Sequence, residues 1–130
     1  LVIDAGTCIS FDLIDFNKVY RGGRISPGLE MRYKSLHEFT DNLPMISSHS
    51  DDYFIGKSTE ESIISGVKQG VLSEVKLIIS DLKKENEDLI VIVTGGDTFF
   101  FDKALKSSIF ADQNFVLKGL NEILKYNEKN

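Results

Sequence analysis

The chain has 130 residues, 42% of them hydrophobic, and a formal net charge of −5, which predicts one domain with a sizeable core. The acidic balance, without a basic stripe, disfavours nucleic acid as a partner, and no apolar run approaches the roughly 18 residues that a membrane span requires. With no signal peptide and with Cys8 as its single cysteine, the chain is predicted to be cytoplasmic.

The cysteine and the two histidines do not point to a catalytic or metal site. Cys8 alternates with polar residues in a predicted strand, so we expect a small core residue, with a catalytic thiol as the lesser alternative. His37 and His49 stand far apart and lack the spacing of metal ligands.

The first seven residues, LVIDAGT, read as a strand followed by a turn of small residues. Val2 and Ile3 are typical of a buried strand, and Asp4 stands where that strand ends. The turn could hold a polyphosphate through its amides and the Thr7 hydroxyl, with the carboxylate alongside for a cation. An ordinary glycine-containing hairpin turn has the same composition. Because residue 1 already lies inside the strand and is not Met, we expect a piece of a longer protein.

The N-terminal third predicts a three-stranded meander over about 1–5, 8–15 and 18–25. Ser26 is a good N-cap and Pro27 suits the first helical position, so a helix is expected over about 27–39. Residues 40–57 then predict an irregular loop, to which we assign no function.

The longest predicted helix opens on a capping box, S-x-x-E, at Ser58 and runs to about residue 84. Its apolar residues, spaced three and four apart, predict one buried face made of Ile64, Val67, Val71, Val75, Ile78 and Leu82. Gly66 and Gly70 lie on the same helix and indicate close approach of another backbone. We favour packing on the sheet over a ligand contact as the reason for these glycines.

The C-terminal part alternates strands with helices. The run LIVIV at 89–93 predicts a central strand covered on both faces. A short helix near 98–107, a strand at 114–117 and a helix at 118–127 follow. An antiparallel meander followed by alternating helices and parallel strands makes an α/β domain, in the order of a ribonuclease H-like domain.

Two turns of small residues fall at the carboxyl ends of predicted strands, where α/β sheets bind ligands. They are Asp4-Ala5-Gly6-Thr7 and Thr94-Gly95-Gly96-Asp97. The first would hold phosphates, whereas Gly95 and Gly96, which lack a Cβ, would let the backbone lie against a nucleoside. A plain strand-to-helix turn, with Asp97 as the helix cap, explains the second turn equally well.

Six blocks follow one another along the chain: D-A-G-T-C at 4–8, G-G-R-I-S-P-G-L at 22–29, H-E-F-T with L-P at 37–44, G-x-S-T-x-x-S-I at 56–63, T-G-G-D at 94–97 and F-V-L-K-G-L-N-x-I-L-x-Y-N at 115–127. Together they resemble the type III pantothenate kinases, over almost the whole chain. The resemblance implies the acetate and sugar kinase/Hsp70/actin superfamily, which has two ribonuclease H-like halves with ATP between them. Residues 1–130 would be the C-terminal half, without the N-terminal half.

The resemblance also implies an activity. The intact enzyme would transfer the γ-phosphoryl group of ATP to pantothenate, giving 4′-phosphopantothenate in the first step of coenzyme A biosynthesis. It would act as a homodimer with Mg²⁺ and a monovalent cation, K⁺ or NH₄⁺.

Site residues follow from the same resemblance. Asp4 would bind the monovalent cation, and Gly6 and Thr7 would contact the ATP phosphates. Gly95 and Gly96 would belong to the adenosine motif. For the substrate, Thr59 would contact pantothenate across the dimer interface, and Gly23 would lie in a loop near it. Without the resemblance, Ser58 and Thr59 could simply cap their helix.

Two motifs of the family are missing from residues 1–130, D-x-G-N-T and G-x-D-R. The second carries the aspartate that accepts the pantothenate hydroxyl proton. We therefore expect the catalytic residue upstream of Leu1 and no activity from this chain alone. Two rivals stay open: a non-catalytic regulatory protein with an accessory role in transcription, and another kinase or phosphatase of the superfamily.

Overall fold

The computed structural model describes residues 1–46 and 51–129, so the prediction about His49 lies outside the described residues. The elements are β1 (Val2–Ala5), β2 (Cys8–Ile14), β3 (Tyr20–Pro27), α1 (Leu29–Glu38), α2 (Thr59–Glu85), β4 (Ile92–Thr94), α3 (Thr98–Leu105), β5 (Phe110–Ala111) and α4 (Phe115–Glu128). The predicted mixed α/β class is confirmed. None of the described helices is both long and apolar enough to cross a membrane.

The chain forms two compact units: Leu1–Ala5 with Ser10–Arg24 and Ile90–Asn130, and Gly6–Ile9 with Ile25–Leu89. The first unit contains β1, β4, β5 and most of β2 and β3, in a sheet of order β3-β2-β1-β4-β5. β4 runs parallel to both β1 and β5, which confirms the prediction of parallel later strands.

Burial alternates along β1, as expected for a strand with one covered face. Leu1, Ile3 and Ala5 are buried, whereas Val2 and Asp4 are half-buried. Val93 in β4 and Val91 just before it are buried. Helix α3 packs against β4 and β5, with Phe101 and Leu105 in the core. Helix α4, in contrast, has no buried residue.

The second unit is built on the packing of α1 against α2. The predicted helix and its buried face are confirmed, since α2 runs Thr59–Glu85 with all the predicted apolar positions buried except the half-buried Leu82. Leu29 and Tyr33 are the buried residues of α1. Apolar burial of this kind contributes roughly 25 cal/mol per Å².

The predicted start of α1 is wrong. β3 continues through Pro27, and Gly28 rather than Ser26 occupies the N-cap position, without a side-chain capping bond. The Gly28 N–H donates to the carbonyl oxygen of Thr7 at 3.0 Å. Strand pairing with a distant segment therefore outweighs the local helix signal, and Pro27 is tolerated at the end of an edge strand.

The predicted strand at 114–117 is also wrong, because the last strand is the short β5 and Phe115 begins α4. The Asp112 carboxylate accepts the Asn114 N–H at 3.0 Å and pairs with Lys118 at 2.6 Å. These bonds hold the turn that starts the helix.

Two predictions about small residues are wrong as well. A Cβ added at Gly66 or Gly70 would meet nothing within 4 Å, and both glycines are exposed. Neither therefore packs closely on another backbone of the described chain. Cys8 is exposed rather than buried, with its Sγ 3.8 Å from the Sδ of Met31.

Candidate functional site

The two predicted ligand turns leave neighbouring parallel strands. Asp4 on β1 stands opposite Thr94 on β4 in the register, so the carboxyl ends of both strands meet at one edge of the sheet. The Asp97 N–H donates to the carbonyl oxygen of Ala5 at 2.9 Å and joins the second turn to the end of β1. Within the first unit, the structure thus brings Asp4 and the Thr94–Asp97 turn together, as the sequence predicts.

Gly95 is required by the fold itself. Its φ of +96° is a conformation that residues with a Cβ rarely adopt. A Cβ there would lie 2.5 Å from Oδ1 of Asp4 and would overlap the carbonyl oxygen of Ala5. The Thr98 hydroxyl donates to the Gly95 carbonyl oxygen at 2.6 Å and fixes the same turn.

Gly96 differs from its neighbour. It is exposed, it has no positive φ, and a Cβ there would meet nothing within 4 Å. Of the two glycines, Gly96 alone therefore leaves open space for a ligand against the backbone. Asp97 occupies the N-cap position of α3 as predicted, but without a side-chain capping hydrogen bond.

The Asp4 carboxylate lies beside this turn and is half-buried. Over the described ranges, no group of three or more His, Cys, Asp or Glu side chains could hold a metal ion. Asp4 therefore offers a single anionic oxygen donor group, the kind of ligand that hard cations prefer.

The turn at Gly6 and Thr7 lies in the second unit. The Gly6 N–H donates to the carbonyl oxygen of Cys8 at 2.9 Å, so this amide is already used within the hairpin. Thr7 is exposed, which leaves its hydroxyl accessible to a phosphate. A Cβ on Gly28 would overlap the Gly6 carbonyl oxygen and lie 2.6 Å from that of Thr7. Gly28 thus supports the turn, a role that the sequence analysis missed and that the block at 22–29 could have indicated.

Thr59 is the first residue of α2 and is exposed. The cap belongs to Ser58, whose Oγ accepts the Glu61 N–H at 3.2 Å. The Glu61 carboxylate accepts the N–H of Lys57 at 2.6 Å, whereas in a capping box it would accept the N–H of the N-cap residue Ser58. Thr59 therefore stands at the positive end of the helix dipole without being the N-cap residue.

Gly23 lies in β3, not in a loop as expected. A Cβ there would overlap the carbonyl oxygen of Phe11 and lie 3.1 Å from Oδ1 of Asp12, both on β2. Close pairing of the two strands accounts for this glycine.

The family model and the curated relatives that match this chain name the same family. The family model for type III pantothenate kinase matches residues 1–81. Type III pantothenate kinases from Phocaeicola vulgatus and Christiangramia forsetii are each 52% identical to the chain, over 129 and 128 residues. The alignments cover 99% and 98% of this chain but 53% of each relative. The chain thus spans about half the length of the curated relatives it matches.

A solved structure shares the fold. A Campylobacter jejuni protein assigned to the Baf family of transcriptional activators superposes with a TM-score of 0.64 over 99% of this chain and 58% of its own. The identity is 23%, so this likeness concerns the fold alone.

Proposed function

We propose, from the premise that the chain belongs to the type III pantothenate kinase family, that the protein phosphorylates pantothenate. ATP would be the phosphoryl donor and 4′-phosphopantothenate the product, in the first step of coenzyme A biosynthesis. This chain would form the C-terminal half, a ribonuclease H-like domain of an actin-like kinase acting in the cytoplasm. Its length, about half that of the curated relatives, supports this division.

The contact between Gly95 and Asp4 is the observation that carries the proposal. Glycine at this position keeps the carboxylate and the second turn together at one edge of the sheet. Gly96 next to it leaves room for the adenosine part of ATP. Phosphoryl transfer depends on positioning and on charge stabilisation. This edge of the sheet would position the nucleotide, and a cation bound by Asp4 would neutralise phosphate charge.

Other residues of the chain act on the nucleotide and the substrate. The Thr7 hydroxyl donates to a phosphate oxygen, on a turn supported by Gly28. Thr59 donates to a polar group of pantothenate from the start of α2, where backbone N–H groups favour a carboxylate. Pantothenate carries both hydroxyl groups and a carboxylate.

Among the proposed cations, the monovalent one fits a residue of this chain. Asp4 offers one carboxylate, which suits a weakly held K⁺ or NH₄⁺, and over residues 1–46 and 51–129 no acidic cluster could hold a divalent ion alone. Mg²⁺ would bind the nucleotide phosphates. When bound, these ions neutralise the negative charge of the phosphates.

A homodimer is supported by one face of α2. Ser62, Gly66, Gly70 and Ser73 are exposed and spaced four, four and three residues apart, which places them along one stripe. Neither glycine has an atom within 4 Å of its Cβ position. A second copy of the protein packs here, with Thr59 at the start of the same helix contacting pantothenate at that interface.

The catalytic aspartate would come from the other half of the protein, because G-x-D-R does not occur in residues 1–130. We expect no turnover from residues 1–130 alone. The regulatory alternative gains no support from the curated relatives described above, which are named as kinases.

A coupled assay of the full-length protein with ATP and pantothenate tests the proposal, in K⁺, NH₄⁺ and Na⁺ buffers. Phosphopantothenate should form with K⁺ or NH₄⁺, and Asp4→Asn should abolish the difference from Na⁺. Asp12→Asn is the matched control, since this carboxylate bonds to Tyr20 and Ser10 within the sheet. No turnover with any cation, from folded protein, would overturn the proposed activity.

A further inference from the structure

The side chain of Lys68, on α2 in the second unit, is 8% exposed although it carries a charge. Its Nζ donates to Oδ1 of Asp52 at 2.7 Å and to the carbonyl oxygen of Asp51 at 3.3 Å. A buried ammonium group is costly unless it is paired and hydrogen-bonded. An apolar residue would fill the same place without that cost, whereas the lysine bonds to the segment that contains Asp51 and Asp52.

Two neighbours of Lys68 hold the same segment. Ser65 Oγ donates to the carbonyl oxygen of Phe54 at 2.6 Å, and Gln69 Nε2 lies 3.5 Å from that of Tyr53. Residues 51–54 belong to no helix or strand, and the carbonyl groups of Asp51, Tyr53 and Phe54 accept from side chains of α2. Ser65, Lys68 and Gln69, here named the clamp, donate these hydrogen bonds from a single face of the helix.

The clamped segment leads directly to Thr59. A Cβ on Gly56 would overlap the backbone nitrogen of Ser62 and lie 2.6 Å from its Cα, so the chain runs against the first turn of α2 at this point. The Lys57 N–H then bonds to the Glu61 carboxylate. The approach to Thr59 is therefore fixed twice, by the clamp over 51–54 and by the first turn of the helix over 56–58.

We infer that the clamp residues are positioning residues for pantothenate binding. They hold the segment 51–58 in the conformation that presents the Thr59 hydroxyl and the N-terminal amides of α2. The inference rests on the proposed function, since it takes Thr59 to be a substrate contact. Because the held segment leads into Thr59, we expect loss of the clamp to weaken pantothenate binding while the KM for ATP stays near the wild-type value.

Full-length variants at Lys68 test the inference. Lys68→Met keeps the aliphatic chain and removes the charge, whereas Lys68→Arg keeps the charge and should restore the wild-type behaviour. Lys76→Met is the matched control, because Lys76 is an exposed lysine on the same helix. Steady-state kinetics with both substrates are measured together with hydrogen exchange of the amides in 51–58.

Lys68→Met should raise the KM for pantothenate about tenfold, the effect of losing one charge-assisted hydrogen bond. The kcat and the KM for ATP should stay near the wild-type values, and amide exchange in 51–58 should become faster. Lys76→Met should change none of these. Faster exchange with an unchanged KM for pantothenate would overturn the positioning role, as would a parallel loss of all kinetic constants.

The two proposals can fail separately. If the wild-type protein does not phosphorylate pantothenate, the proposed function fails and the substrate role of the clamp fails with it. Amide exchange still decides whether Lys68 holds the segment, because that measurement needs no activity. If the wild-type protein is active and Lys68→Met exchanges like the wild type, the inference alone is overturned.

Discussion

Oδ1 of Asp4 lies only 2.5 Å from the position that a Cβ atom of residue 95 would occupy, so the Gly95 backbone is packed directly against this carboxylate. The two residues are far apart in sequence, and the parallel pairing of β1 with β4 brings them together. A turn that closes over a carboxylate in this way leaves no room for any side chain at residue 95.

Gly95→Ala should therefore damage both stability and ATP binding. The positive φ alone makes a substitution strained by about 1–3 kcal/mol, and the overlap with Ala5 and Asp4 adds to it. Chemical denaturation and ATP titration measure the two effects.

Gly96→Ala is the control for that experiment, because open space surrounds residue 96. It should leave the free energy of unfolding within about 1 kcal/mol of the wild type. A loss of ATP affinity without a loss of stability would place the nucleotide at Gly96. Equal stability for both variants would contradict the account of the turn.

Ser58 and Thr59 should separate a structural from a functional role. Ser58→Ala removes the side chain that accepts the Glu61 N–H and should cost about 1 kcal/mol of stability. Thr59→Ala removes no cap, so its stability should stay near wild type while the KM for pantothenate rises. Thermal unfolding and steady-state kinetics are measured on both variants. A loss of stability in Thr59→Ala, or a raised KM for pantothenate in Ser58→Ala alone, would contradict this division of roles.

Tyr33→Phe should not destabilise the protein, although Tyr33 is fully buried. Its hydroxyl has no hydrogen-bond partner among the described residues, and removing an unpaired buried hydroxyl relieves a desolvation cost of about 1–3 kcal/mol. Denaturation at neutral pH measures the change. A large loss of stability would mean that the hydroxyl has a partner in solution.

The same variant has a pH signature. Burial, then the charges of Asp52 and Glu30, raise the pKa of Tyr33 from 10.0 to about 12. The folded state thus keeps this proton more firmly than the unfolded state, and the stability this confers is present below pH 10 and lost as pH rises towards 12. Denaturation across this range should show a shallower alkaline loss for Tyr33→Phe than for wild type.

Asp15 should contribute acid sensitivity. Its hydrogen bond from the Val19 N–H, followed by its contact with Arg21, holds the pKa of Asp15 below its usual 3.8. The folded state therefore binds fewer protons, and this contribution is present above pH 3.8 and lost as the pH falls through the folded-state pKa. Asp15→Asn should flatten the acid limb of the stability profile, and an unchanged limb would contradict the assignment.

Gly70→Leu should weaken the proposed dimer. Residue 70 is exposed with nothing within 4 Å of its Cβ position, so a leucine should leave the monomer folded. Sedimentation of the full-length protein should show monomer where the wild type is dimeric. A dimer of unchanged stability would place the interface elsewhere, and Lys84→Leu near the C-terminal end of α2 is the control.

Local signals in the sequence were sufficient where a few adjacent residues decide the structure. Ser58 and the apolar spacing of α2 predict that helix within one residue because capping and periodicity are local. The meeting of Asp4 with Gly95 also follows, since the carboxyl ends of parallel strands share an edge. Pro27 misled the prediction because its strand is held by pairing with a distant part of the chain.

The glycines show more clearly what local sequence cannot predict. A glycine in the sequence does not say what occupies the space beside it, which depends on the tertiary neighbours. Gly66 and Gly70 were expected to face a backbone and instead face open space, whereas Gly23 packs against β2 inside the sheet. The few residues adjacent to a glycine in sequence do not determine whether open space or another strand lies beside it.

The register of β1 restricts where insertions and deletions can be accepted in this protein during evolution. Ile3 pairs with Val93 and Asp4 with Thr94, and the side chains of β1 alternate between buried and half-buried positions. Inserting or deleting one residue before Asp4 would reverse that alternation, placing a carboxylate in the core and an isoleucine at a half-buried position. Length variation among relatives should therefore be absent from β1 and β4 and should collect in connections such as 40–46.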